Sequence, residues 1–289
     1  MDVRTMTHLI KRLIPGFDIY ERSGFPESLS IPNRDAAQFI VSDVIREGLF
    51  LEFVAMLIEV QEDGIMGRNY QVSYLRGIVR GVFDMGYMFD QETAMFIEDP
   101  RYRKTRNWGA LQKGTFYTFA FLHADIVGNT ALVREHPKQV IEQTYADLRA
   151  IVQKVVEKRN GRIWAWEGDG GLAAFYFAGK HTKAAFSAIE IIHELFFYNR
   201  LNCKLNEQLR LRLAVHSGEC EYTDRDDDLI KSEPIRQLID IEKGHTKPDS
   251  VTISPVVRNM LDSLLATAFK PIEEASHYTY YTYAVVWEA

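Results

Sequence analysis

Apolar residues recur at helical spacing through most of the first hundred or so positions. Met6, Leu9, Ile10 and Leu13 make one amphipathic turn-by-turn stripe that Pro15 ends, and residues 15–34 read as turns. The stripe returns with Ala37, Phe39, Ile40, Val44 and Ile45, pauses at Gly48, and resumes through Phe50, Phe53, Leu57 and Ile58. A loop is expected over 64–69, and helical segments over 72–85 and 91–97. Residues 1–106 are therefore predicted to be a helical module and its linker.

From residue 113 the period changes. Residues 116–126 are apolar on both faces, as in a strand buried on both sides, and 138–159 follow as a strongly periodic helix stopped by Asn160-Gly161. A hairpin is expected over 162–175 with its tip at Gly168-Asp169-Gly170-Gly171, then a helix over 182–198 with Ala185, Ile189, Ile192 and Phe196 inward, and a strand over 209–219. Beyond it the pattern predicts an acidic loop at 224–228, a helix over 233–243, a strand at 251–254, a helix over 255–265 and a closing strand over 278–287. The order β-α-β-β-α-β is a split βαβ, an α+β ferredoxin-like palm extended at its end, occupying 113–287. Tyr117, Phe119 and Phe121 share a face with Asp125, and a second copy of the domain is the expected cover for that face.

Composition narrows the function classes. With 46% hydrophobic residues in 289, the chain can build real cores. A net charge of −6 and a pI near 5.8 argue against nucleic acid or an anionic membrane as the main partner. Cys203 and Cys220 have neither metal nor redox spacing, no signal run opens the chain, and the most apolar stretch, 49–60, is short and interrupted by Glu52 and Glu59; a soluble cytoplasmic protein is expected. The run Arg101 to Arg106, four basic residues in six, reads as a solvated linker at a domain boundary, with a phosphate or partner contact as the alternative.

Two carboxylates stand where packing gives no reason for them. Asp125 ends an apolar strand, and Asp169 is framed by glycines between apolar runs. In neighbouring strands they would repel unless a cation sat between them. Gly128 permits a tight turn after Asp125, and the N–H groups of 126–130 would then face an anion held at the metal. Carboxylates, metal and anion cradle together describe a nucleotide polyphosphate site.

Four segments carry a family resemblance. Ala124-Asp125-Ile126-Val127-Gly128-x-Thr130, Glu167-Gly168-Asp169-Gly170 with Leu172-Ala173-x-Phe175, Leu213-Ala214-Val215-His216-Ser217-Gly218-Glu219, and Lys247-Pro248-x-x-Val251-x-Ile253-Ser254 resemble, in order and spacing, the signature blocks of class III nucleotidyl cyclases. The resemblance implies that Asp125 and Asp169, with the carbonyl of Ile126, hold two divalent cations, Mn²⁺ or Mg²⁺. It also implies that the turn Val127, Gly128, Asn129 and Thr130 meets the substrate, and that a homodimer forms two equivalent sites. His123 and His216 read as packed strand residues rather than ligands.

The departures matter as much. Purine-using members place a base-reading lysine four residues before the second metal aspartate, where this chain has Ala165. The family's late asparagine falls at Arg236 and its arginine near Asp240, so Arg236 is the first candidate cation for the transition state, with Arg258 and Lys270 behind it. Trp164 and Trp166 are expected in the core or an interface, yet together with Phe121 they offer bulk for the space a purine would vacate. This combination is similar to the pyrimidine cyclases of bacterial Pycsar antiphage defence. It implies UTP, or CTP, as substrate, a cyclic nucleotide product read by a separate effector, and no direct nucleic-acid or membrane partner. The competing readings are an adenylyl or guanylyl cyclase with relocated base contacts, and an inactive cyclase-like module that binds nucleotide or dimerises.

Overall fold

The structure is a computed structural model that describes residues 1–65, 67–272 and 279–285. The chain forms two compact units, Met1–Arg103 and Lys104–Ala289. The basic run is thus divided between them, and its last three residues fold with the second unit.

The first unit holds α1 (Val3–Ile10), α2 (Ile19–Ser23), α3 (Asn33–Arg46), α4 (Phe50–Asp63) and α5 (Leu75–Asp84), then β1 (Tyr87–Asp90) and β2 (Met95–Glu98). Side chains of Asp2 and Asp18 cap α1 and α2 by accepting from first-turn N–H groups. Ile10, Phe17, Ile40 and Val44 fill one core, and Val54, Leu75, Val82 and Phe96 another. The helix expected over 91–97 is instead one arm of an antiparallel hairpin, with Tyr87 opposite Glu98 and Asp90 opposite Met95. The Asp90 carboxylate accepts from both the N–H and hydroxyl of Thr93, closing a turn at the positions where a helix would have started.

The second unit is built on β3 (Phe116–Ile126), followed by α6 (Asn129–Glu135), α7 (Lys138–Lys158), β4 (Arg162–Glu167), β5 (Gly170–Phe175), α8 (Lys180–Leu201) and β6 (Leu211–Glu221). It ends with α9 (Asp226–Ile230), α10 (Glu233–His245), β7 (Ser250–Ile253), α11 (Pro255–Asn259), α12 (Ser263–Ala268), β8 (Lys270–Pro271) and β9 (Tyr281–Ala284). The strand order is β4-β5-β3-β6-β7-β9-β8; the first four strands are antiparallel, as the split βαβ requires, and β7 adds parallel to β6. The short helix α9 begins within the acidic segment expected as a loop, and the strand expected over 278–287 spans Tyr281–Ala284, with 278 and 286–287 outside the described residues.

Alternation sorts β3 into two faces. Ala120, Leu122, Ala124 and Ile126 pack with Leu148 and Val152 of α7 and with Ala188 and Ile191 of α8. On the other face, Phe119 and Phe121 are also fully buried, and the chain itself provides their cover. Phe119 meets Trp164 edge-on at 4.7 Å between centroids, Trp164 packs on Trp108, and Trp108 on Phe177. The segment around Trp108 is tied down by Trp108 Nε1 donating to the Asn160 carbonyl and Trp164 Nε1 to that of Arg106. A second copy is therefore not needed to bury these aromatic residues, contrary to the expectation from the sequence. Beside this cluster α10 crosses the same face, and Gly218 of β6 admits it: a Cβ there would lie 2.8 Å from Pro234.

Candidate active site

The two aspartates come together because β3 and β5 are neighbours. Asp125 stands opposite Gly170 in the ladder, and the backbone N–H of Ile126 donates to the Asp169 carbonyl across 3.2 Å. Gly170 is required there, since a Cβ would sit 2.7 Å from the Ala124 carbonyl oxygen and 3.4 Å from Asp125 Oδ1. Asp125 and Asp169 line one cavity of about 250 Å³, whose walls include Ala165, Leu172, Ile239 and Glu242. Among the described residues no cluster of three or more His, Cys, Asp or Glu forms a metal cage. The two carboxylates offer hard oxygen donors only, a set suited to Mg²⁺ or Mn²⁺ and not to a softer ion.

A cation faces Asp125 that the sequence reading had not singled out. Arg212, directly opposite Asp125 in the β3–β6 register, places Nη2 2.5 Å from Asp125 Oδ2 and Nε 2.5 Å from Glu242 Oε1. Glu242 is fully buried on α10, and burial, reinforced by the negative charge of Asp125, pushes its pKa up to about 7. Burial likewise pushes His123 down to about 4, so its ring is neutral at pH 7 and its 3.9 Å approach to Glu242 is not an ion pair. Both polar residues were visible as breaks in pattern. Arg212 follows Arg210 at strand alternation, and Glu242 lies in helical phase with the buried Ile235 and Leu238.

The turn after β3 is partly committed. Val127 N–H donates to the Arg210 carbonyl, and Ile126 N–H is used as above, so the expected cradle of 126–130 is reduced to the start of α6, after Gly128 in the left-handed region at φ 72°. Asn129 and Thr130 are the first two residues of that helix, where backbone donors lack intrahelical acceptors. Tyr145 of α7 donates its hydroxyl to Asn129 Oδ1 at 2.5 Å and fixes the turn.

Other candidates lie elsewhere. Trp166 packs its indole over Gly171, where a Cβ would meet the ring at 2.2 Å. Phe121 is in the aromatic core and does not line the cavity. Arg236 points along the outer side of α10, paired with Glu233 at 2.6 Å and 62% exposed. Arg258 stacks on Tyr281, and Lys270 lies on β8, four strands from β3, about 19 Å at ordinary strand spacing. His216 is buried against α10.

This sheet, its two covering helices and the crossing α10 are the fold of class III cyclase catalytic domains. The chain is similar to the catalytic core of a rhodopsin-guanylyl cyclase with converted specificity, solved with ATPαS, at a TM-score of 0.50 and 15% identity over 59% of this chain and 98% of that one. Similar structures also include the adenylyl cyclase CyaB from P. aeruginosa (TM-score 0.49, 15% identity, 62% and 98% of the two chains). The adenylate/guanylate cyclase/hydrolase from Silicibacter pomeroyi gives a TM-score of 0.48 at 17% identity over 60% and 99%. No family model and no curated protein sequence matches the chain.

Proposed function

We propose that the protein is a nucleotidyl cyclase that converts a pyrimidine nucleoside triphosphate, UTP ahead of CTP, into its 3′,5′-cyclic monophosphate and diphosphate. The observation that carries this reading is the convergence of Asp125 and Asp169 on one cavity of a cyclase-type fold with Ala165 in its wall. The ribose 3′-oxygen attacks the α-phosphorus, the bond from that phosphorus to the α–β bridging oxygen breaks to release diphosphate, and the hydroxyl proton passes to solvent. Asp125 and Asp169, with the Ile126 carbonyl, would hold two divalent cations, which when bound lower the pKa of the hydroxyl and neutralise the triphosphate.

Arg212 supplies fixed positive charge beside Asp125, and Glu242 holds it from behind. Asn129 and Thr130 offer first-turn donors to the phosphates, with Val127 and Gly128 shaping the turn. Arg236 and Lys270, exposed and outside the cavity, serve this chemistry only where a second copy brings them to a shared site. Ala165 offers no hydrogen bond to a base; a polar contact designed for a purine edge would be worth about 10⁴-fold in discrimination. With that contact absent, a smaller base is the better occupant. The enzyme then acts as a cytoplasmic homodimer whose cyclic nucleotide signals to a separate effector in antiphage defence.

The test is incubation with each of ATP, GTP, CTP and UTP in Mn²⁺, with products separated by mass. Cyclic UMP or cyclic CMP is expected to dominate. Cyclic AMP or cyclic GMP as the sole product rejects the pyrimidine assignment, and no cyclic product from any nucleotide supports an inactive module.

A further inference from the structure

Helix α5 of the first unit buries Leu75 and Val82 and leaves a second apolar stripe open. Gly77, Ile78, Gly81 and Met85 follow one another along it, with Met85 61% exposed. Tyr74 precedes the helix with its backbone in the left-handed region at φ 61°, uncommon for a non-glycine residue, and its ring 89% exposed. The two glycines weaken the helix, and among the described residues nothing repays them: a Cβ at either would meet no atom within 4 Å. The fold of this unit gives no reason for bare backbone on that stripe.

The charges flanking the stripe are self-complementary. Arg76 and Arg80 lie one helical turn apart and Asp84 one turn further on, and none of the three has an ion-pair partner among the described residues. We propose that this stripe of α5 pairs with the same stripe of a second copy of the chain, antiparallel about a two-fold axis at Gly81. That register sets Gly81 against its own counterpart, where bare backbone allows the helices to approach closely. It sets Gly77 opposite Met85 of the second copy, a hollow against a flexible apolar side chain. It also brings Asp84 level with the gap between Arg76 and Arg80 of the second copy, so each helix contributes both signs to an isologous contact. No unlike partner is needed to satisfy either sign. The inference concerns the first unit alone and holds whether or not the second unit turns over a nucleotide.

Sedimentation of the full chain over a concentration series tests it. Asp84→Arg and the double variant Arg76→Asp/Arg80→Asp change exposed residues and are expected to keep the wild-type circular dichroism and melting temperature. Each alone places like charges together and is expected to raise the dimer dissociation constant about 10-fold or more. Mixed in equal amounts the two variants regain opposite charges, and the heterodimer is expected to return to within about 3-fold of the wild-type constant. A wild-type chain that stays monomeric throughout overturns the proposal. So does an unchanged constant in both variants, as a face used by an unlike partner or by the other unit of the chain would give, or a mixture that fails to recover.

Discussion

The two faces of β3 do different work: four residues are buried on one, and on the other two buried rings lead to two half-buried polar residues. One is made of Ala120, Leu122, Ala124 and Ile126, small and aliphatic residues that match the ridges of α7 and α8 and do nothing but pack. The other passes from Phe119 and Phe121, locked in an aromatic cluster, to His123 and then Asp125 at the edge of a cavity. The candidate site thus stands at the end of a strand whose central side chains, Phe119 to Leu122, are fully buried. Aromatic rings contribute large buried area with few rotatable bonds, so rigidity at Phe119 becomes position at Asp125.

If the faces divide labour in this way, substitutions on them should separate activity from stability. Asp125→Asn or Asp169→Asn is expected to lower nucleotide turnover by about 10³-fold or more. Retention of a tenth of the activity would show that the carboxylates are not needed for turnover. On the packing face, Leu122→Ala is expected to cost about 3 kcal/mol in urea unfolding while leaving turnover per folded molecule near wild type. Trp108→Ala, which uncovers the aromatic face, should cost a similar amount and also lower turnover, because the site depends on that cluster. Arg212→Ala is expected to lower turnover about 100-fold, against less than about 3-fold for Arg236→Ala in the same assay. Equal effects would move the transition-state cation to Arg236 and to a site shared between two copies.

The smallest effect concerns pH. His181 of α8 shares a hydrogen bond with Ser217 at 2.9 Å, and the Ser217 hydroxyl donates to the Phe119 carbonyl, so this pair links the helix to β6 and β3. Burial, and then the positive charge of Lys180, push His181 down to about 4. The unfolded chain, with an ordinary histidine near 6.5, binds the extra proton first, so stability from this residue is full above about pH 6.5 and is lost as pH falls toward 4. Unfolding midpoints for His181→Gln between pH 4.5 and 7 should show a shallower dependence than wild type; parallel curves would remove His181 from the account.

The palm and its order of elements were legible because strand and helix periods alternate cleanly after residue 113, and the convergence of Asp125 with Asp169 followed from pairing two neighbouring strands. Arg212 was not singled out, because its role exists only in the register that sets it opposite Asp125. Glu242 lies in helical phase with the buried positions of α10, and what it does there appears only once α10 crosses the face of β3. The hairpin of the first unit was misread because Met95-Phe96-Ile97 is too short for period to distinguish strand from helix. The cover over Phe119 was missed for a different reason: Trp108 belongs to a segment whose local pattern is that of a linker, and only tertiary contacts reveal where its ring goes.

Whether the cavity at the end of β3 closes a nucleotide on itself is read from its products. The most direct measurement is the product balance of the wild-type chain with UTP and Mn²⁺, followed by phosphorus NMR and mass. Cyclic UMP and diphosphate are expected in equal amounts, both lost in Asp125→Asn. Linear UMP with diphosphate, or cyclic UMP formed equally well by Asp125→Asn, would contradict it.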